Sequence, residues 1–181
     1  MDDEQCRLTQ EIMSKRNFSP LTSSCGRLFD AVAALLGIRH QITYRGQAAC
    51  ELEMICDAGE DATYDFGYDK DSITLKDLFA GICRDIDGGL PAGRIAARFH
   101  NTVARLIAET CERLREETDI ETVALSGGVM QNRRLLRLSV PNLRRRGFEV
   151  LLQSEVPPND GGICLGQATI ALAKLEKMGD E

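Results

Sequence analysis

Two short apolar runs near the end of the chain constrain the fold more than any other feature. Residues 121–126 contain TVALS and residues 148–152 read FEVLL, and each is followed by a helical pattern, over 129–146 and 161–177. A strand–helix–strand–helix order favours a parallel pair of strands with a right-handed crossover. Both strand-to-helix junctions are glycine-rich: Ser126-Gly127-Gly128 after the first strand, and VPPNDGG, 156–162, after the second. In a parallel sheet the loops that follow the strands gather at one edge, where ligands bind.

Paired glycines at a helix start expose backbone N–H groups beside the positive end of the helix dipole, which suits a phosphate or another polar group. The turn is not a Walker loop, because no Gly-Lys-Ser/Thr follows, and it is not G-x-G-x-x-G either. A tight turn that needs a positive φ accounts for the same glycines, so both readings stand at this point. Asp160 reads equally as a helix N-cap and as a carboxylate held near a phosphate or a metal. Asp30 is a polar residue in the apolar helix pattern GRLFDAVAALLG, which fits a solvated face. The run Arg144-Arg145-Arg146 falls at a helix C-terminus, where positive charge is favourable, and reads as surface.

The first 118 residues read as mostly helical. Helices are expected over 3–16, with Leu8, Ile12 and Met13 on one side, and from an N-cap among Thr22, Ser23 and Ser24 to a stop at Gly37. Another follows the turn at Gly46, over about 47–57, burying Ala48, Ala49, Leu52 and Ile55. Residues 59–74 are polar and glycine-containing, so a loop with a short strand or two is expected before a helix near 75–86. The longest helix, about 91–118, starts near Pro91 and carries Ile95, Phe99, Val103, Leu106, Ile107, Cys111 and Leu114 as its apolar stripe. Pro141 is expected to kink or split the 129–146 helix. The chain thus divides into a helical part, 1–118, and a β-α-β-α part, 119–178, within a single lobe spanning 1–181.

Composition excludes some partners. With 181 residues and 43% hydrophobic content, the chain can form one domain, or one lobe of a larger one. A net charge of −6 argues against nonspecific binding to nucleic acid or to an anionic membrane. No apolar run approaches the roughly 18 residues of a membrane span. The acidic start MDDEQCRLTQEI lacks the features of a signal peptide, so a cytoplasmic location is expected. Seven cysteines without a CxxC pair read as reduced and mostly buried. His100 falls in a helical pattern and reads as structural.

Four separated segments, TSSCGRLFDAVAALLGI, YRGQAACELE, ALSGGVMQNRRLL and GFEVLLQSEVPPNDGGICLGQA, occur in order between residues 21 and 168. They resemble the C-terminal part of the HypF-type carbamoyltransferases, the hydrogenase maturation proteins. The corresponding domain of that family is similar to the TsaD-type tRNA-modification enzymes. The resemblance implies an α/β fold, one lobe of the actin, sugar-kinase and heat-shock ATPase superfamily. That lobe would have a ribonuclease H-like core and a helix-rich N-terminal part.

The resemblance also implies roles. Gly127 and Gly128 would contact nucleotide phosphate or ribose, with Asn132 close by on the nucleoside. Asp30, Gly46 and Glu51 would hold the ribose and adenine side, and Asp160 would be a ligand of a divalent metal. In the family, carbamoyl phosphate and ATP yield carbamoyladenylate. The carbamoyl group then passes to the C-terminal cysteine of the partner HypE and becomes the cyanide ligand of the nickel–iron hydrogenase centre. The implied partners are therefore the family's preceding lobe and domains and a HypE-type acceptor.

Three features depart from the family pattern. Its His-x-x-x-His metal pair has no counterpart, since the two histidines, His40 and His100, are 60 residues apart. Arg45 stands where glutamate is usual before Gly-Gln-Ala-Ala, and Pro141 interrupts a helix usually free of proline. The acylphosphatase-like, zinc-finger and adenylate-forming domains fall outside this sequence. The expectation is a lobe that is not active alone. Two alternatives stand beside it: a catalytically inactive nucleotide-binding or regulatory module, and a kinase-like lobe that transfers phosphoryl groups.

Overall fold

A computed structural model describes residues 3–70 and 72–179. Its helical part is organised by the 27-residue helix α5, Ala92–Thr118. Pro91 sits at its N-cap, where the missing N–H is no loss. Ile95, Phe99 and Val103 recur at helical spacing and are buried. The preceding helices are α1, Asp3–Ser14, α2, Cys25–Leu35, α3, Gln47–Met54, and α4, Lys76–Asp87. Helices α3 and α4 pack on α5, and α2 packs on α3. Phe29 of α2 meets Phe99 of α5 edge-on with ring centroids 4.8 Å apart. Ser24 caps α2 by accepting the Arg27 N–H, and Gly37, at φ +70°, follows its end. Helix α1 buries none of its residues, so the apolar side formed by Leu8, Ile12 and Met13 faces solvent. Strands β1, Gly67–Asp69, and β2, Ser72–Thr74, form a small antiparallel hairpin inside the expected loop.

The C-terminal part follows the expected order: β3, Thr122–Leu125, α6, Arg133–Arg145, β4, Glu149–Leu152, and α7, Ile163–Gly179. The two strands are parallel, in the register Thr122↔Glu149 to Leu125↔Leu152, with α6 as the crossover. Ala108, Leu125, Leu143 and Phe148 form a small second core where α5 and α6 meet the strands. Among the described residues no other strand joins this pair.

Four expectations need correction. The 129–146 helix is split at Asn132, not at Pro141. Residues Gly128–Gln131 form a 3-10 turn, Asn132 caps α6, and α6 runs through Pro141 unbroken. Pro141 and Arg137, whose carbonyl loses its bond to the proline, are both exposed, so water can satisfy that carbonyl. Helix α3 ends at Met54, which leaves Ile55 in its C-cap and 39% exposed. Leu114, placed in the apolar stripe of α5, is instead 52% exposed. The cysteines are free, but none is fully buried. Cys50, Cys83 and Cys164 are exposed, and the other four are half-buried on the flanks of helices.

Candidate nucleotide-phosphate site

The two glycine-rich turns close on each other at the C-terminal edge of β3 and β4. The Gly127 N–H donates to the Pro158 carbonyl at 2.8 Å. The Gln153 amide donates to Ser126 Oγ at 2.6 Å. Gly127 holds φ at +93°, a conformation that side chains resist, so the turn itself requires this glycine. Gly128 differs. A side chain there would meet nothing within 4 Å, so packing does not require glycine at this position. What its bare backbone provides is access. Gly128 opens the 3-10 turn, and the first N–H groups of such a turn have no partner within it.

The second turn is tighter. Asn159 Oδ1 accepts the Gly161 N–H at 2.9 Å, and the Gly162 N–H donates to the Asn159 carbonyl at 3.0 Å. A Cβ on Gly162 would lie 2.9 Å from the Pro157 carbonyl, so this turn leaves no room for a side chain. The N-cap is therefore Asn159, and Asp160 is the first residue of the turn. Ser126, Gly127, Gln153, Pro157, Pro158 and Asp160 line a shared cleft of about 380 Å³. The first turn of α2 faces this edge, with Gly26 against Val129 of the 3-10 turn.

Asp160 is bonded by Arg45, Nη1 to Oδ2, at 2.7 Å. That contact brings Gly46, at φ +84° and at the N-cap of α3, to the same edge. Both side chains of the pair are largely exposed, 86% and 71%, so the bond contributes little stability. A lone carboxylate beside a guanidinium does not make a divalent-metal site, because such ions need several oxygen or nitrogen ligands. Among the described residues, no three His, Cys, Asp or Glu side chains converge on a common point.

Asp30, Glu51 and Asn132 are each engaged within the protein. Asp30 pairs with Arg27 at 2.7 Å, one turn back on α2. Glu51 accepts two bonds from Arg39, at 2.8 and 2.6 Å, and a third from Gln47 at 2.9 Å. The bond from Arg39 holds its carboxyl below the usual glutamate range. Asn132 is buried and faces inward: its Oδ1 accepts the Leu135 N–H at 2.7 Å, and its amide donates to His100 Nε2 at 2.9 Å.

The His100 contact carries no short-range signal in the sequence. The imidazole is fully buried. Its Nδ1 donates to the Ala96 carbonyl at 2.7 Å, which fixes the neutral tautomer and leaves Nε2 to accept from Asn132. Burial lowers the pKa of His100 to about 4 and raises that of the adjacent Cys56 to about 11. His100 thus anchors the cap of α6, directly below the 3-10 turn that begins at Gly128. The expectation of a structural histidine holds in that sense.

Comparison with known proteins agrees with this layout. Residues 1–167 match the family model of the carbamoyltransferase Kae1-like domain, second subdomain. The carbamoyltransferase HypF of Rhodobacter capsulatus is 39% identical over 93% of the chain, and that of Synechocystis is 35% identical over 94%. The chain covers 22% and 23% of those relatives, so it spans about a quarter of their length. A crystal structure of full-length HypF in a phosphate- and nucleotide-bound form superposes with a TM-score of 0.88 at 39% identity. It covers 97% of this chain, which in turn covers 24% of that protein. This chain belongs to the HypF carbamoyltransferase family and corresponds to the second subdomain of its Kae1-like domain.

Proposed function

We propose that this chain supplies the nucleotide-binding lobe of a carbamoyltransferase acting in nickel–iron hydrogenase maturation. In this reading it is one lobe of the actin, sugar-kinase and heat-shock ATPase superfamily. The turn at Gly127 and Gly128 receives the phosphate or ribose of ATP or carbamoyladenylate. The carbamoyl group then moves to the C-terminal cysteine of a HypE-type acceptor. The observation that carries the reading is the bare backbone at Gly128: it has open space in front of it, on an edge that the Gly127–Pro158 bond holds in shape.

Within that site, backbone N–H groups at the turn would bind the phosphate, and the His100–Asn132 pair would hold the turn at its root. Gly46 and Asp160 would flank the nucleotide. Asp30 and Glu51 would act after exchanging an internal ion pair for a ligand contact, or would position their neighbours. The metal assigned to Asp160 would need ligands from outside this chain and a shift of Arg45, so no chemical step is derived through it. Catalysis by positioning falls steeply when half of the contacts are missing, and activity is expected only with the family's other domains present.

The test is ATP- and carbamoyl phosphate-dependent mass gain on the acceptor's C-terminal cysteine, with the missing domains supplied. Carbamoylation that is lost in Gly128→Val, with folding retained, supports the reading. Nucleotide binding without carbamoylation would favour a regulatory module, and phosphoryl transfer to a small molecule would favour the kinase-like alternative.

A further inference from the structure

A second cleft lies away from the glycine turns, between the end of α3, the loop before β1, and helices α5 and α6. It holds about 860 Å³, more than twice the glycine-lined cleft. One wall is α6, which presents Arg133, Arg134, Arg137 and Arg145 to it.

This helix breaks a local rule. It carries five arginines and no carboxylate, in a chain whose net charge is −6. Arg133 and Arg134 occupy its first turn, where the helix dipole disfavours cations. Arg133, Arg137 and Arg145 are exposed, and no acidic side chain pairs with any of them among the described residues. Three carboxylates also line the cleft, and none of them pairs with the row: Glu53 accepts the backbone N–H of Arg134 at 2.8 Å, Glu60 is held by Arg94 and Arg98, and Asp61 forms no ion pair with these arginines. The Nε of Arg134 is buried without a partner. Places where a sequence breaks such a rule without local compensation are where function is expected.

The spacing selects a ligand. Arg133 and Arg137 are one helical turn apart, about 6 Å, and Arg145 lies about 12 Å further on. In an extended peptide, side chains on one face repeat about every 6.6 Å. Acidic residues at alternate positions therefore match the first step of the row and, after two more repeats, the second. Each guanidinium can take a carboxylate through two parallel bonds. A single phosphate would engage only one end of the row. A nucleic acid strand carries a charge about every 3.4 Å, a finer spacing than the steps of the row. We infer that the α6 arginine cleft is a docking site for an extended acidic segment of a partner protein, separate from the glycine-turn site.

The probe is a fluorescein-labelled peptide of about eight alternating Glu and Ser residues, long enough to cover the row. Fluorescence anisotropy would measure its binding to the 181-residue chain, beside its Gln-for-Glu counterpart. The expected result is binding of the acidic peptide alone, weakened at least about tenfold in Arg133→Glu/Arg137→Glu and unchanged in Arg144→Glu, which lies outside the cleft. Arg133→Glu places a carboxylate in the first turn of α6, which favours the helix and offsets the small repulsion between two carboxylates one turn apart, so the double variant should stay folded; the Arg133→Gln/Arg137→Gln pair serves as a second, charge-neutral check. Equal binding of the two peptides, or wild-type affinity in both double variants, would overturn the proposal. Displacement of the peptide by lower concentrations of pyrophosphate than of unlabelled peptide would also overturn it, in favour of a small phosphate ligand.

Discussion

The helix-rich part and the β-α-β-α part carry similar apolar residues and treat them differently. In α5, Ile95, Phe99, Val103 and Ala104 are buried in a core shared with α2, α3, α4 and α6. In α7, Ile163, Leu165, Ile170, Leu172 and Leu175 are 52–66% exposed, and Leu151 and Leu152 of β4 are half exposed. The first region forms most of its core itself and completes it with Leu135 of α6. The second holds its shape through a two-stranded sheet, a small core in which Leu125, Leu143 and Phe148 pack with Ala108 of α5, and two turns bonded to each other. Stability is therefore concentrated in one part and the candidate binding edge lies in the other, where apolar surface is left for a covering layer. That distribution agrees with a chain that spans about a quarter of its relatives.

The largest expected effect is in the helical core. Phe99→Ala removes a fully buried ring packed on Phe29 and should destabilise the chain by about 4 kcal/mol in urea unfolding. A loss below about 1 kcal/mol would break the comparison, because the core would then not reside there.

The link between the two parts should show in the pH dependence. His100 is held neutral in the fold, with its pKa near 4, against about 6.5 when unfolded. The unfolded chain binds the proton first, so this contribution to stability is complete above about pH 6.5 and is lost as pH falls toward 4. The loss should be roughly 3 kcal/mol. His100→Gln should flatten the unfolding free energy across that window, and an unchanged slope would remove His100 as its source. Asn132→Ala is expected to cost about 2 kcal/mol, since it deletes the α6 cap and leaves His100 Nε2 unpaired.

Substitutions on the open face should do far less. Leu172→Glu with Leu175→Glu should change stability by under about 0.5 kcal/mol while reducing self-association in sedimentation velocity. Arg45→Ala, which removes only an exposed ion pair, should fall within about 0.5 kcal/mol.

Much of this contrast was legible from residue order. The alternation of strands and helices placed both glycine turns at one edge, and Ser24, Gly37 and Pro91 marked helix ends because capping is a local property. The split at Asn132 was not legible, because its asparagine cap depends on a histidine 32 residues away that no periodicity reveals. Pro141 misled because its cost depends on whether the orphaned carbonyl meets water, which only the packing of α6 decides. Helix periodicity identified the stripes of α1 and α5 without showing which of them has something to pack against. The engagement of Asp30, Glu51 and Asp160 by Arg27, Arg39 and Arg45 is likewise a matter of geometry that the spacing of these residues leaves open.

The most direct test of the proposed nucleotide site is calorimetric titration of the chain with ATP and with a non-hydrolysable carbamoyladenylate analogue, comparing the native sequence with Gly128→Val. Nothing in the fold fills the space in front of Gly128, so the variant should unfold at nearly the native midpoint. The account predicts micromolar to millimolar binding to the native chain and none to the variant. Equal binding by both chains would contradict it, because the backbone at Gly128 would then not be where the nucleotide approaches.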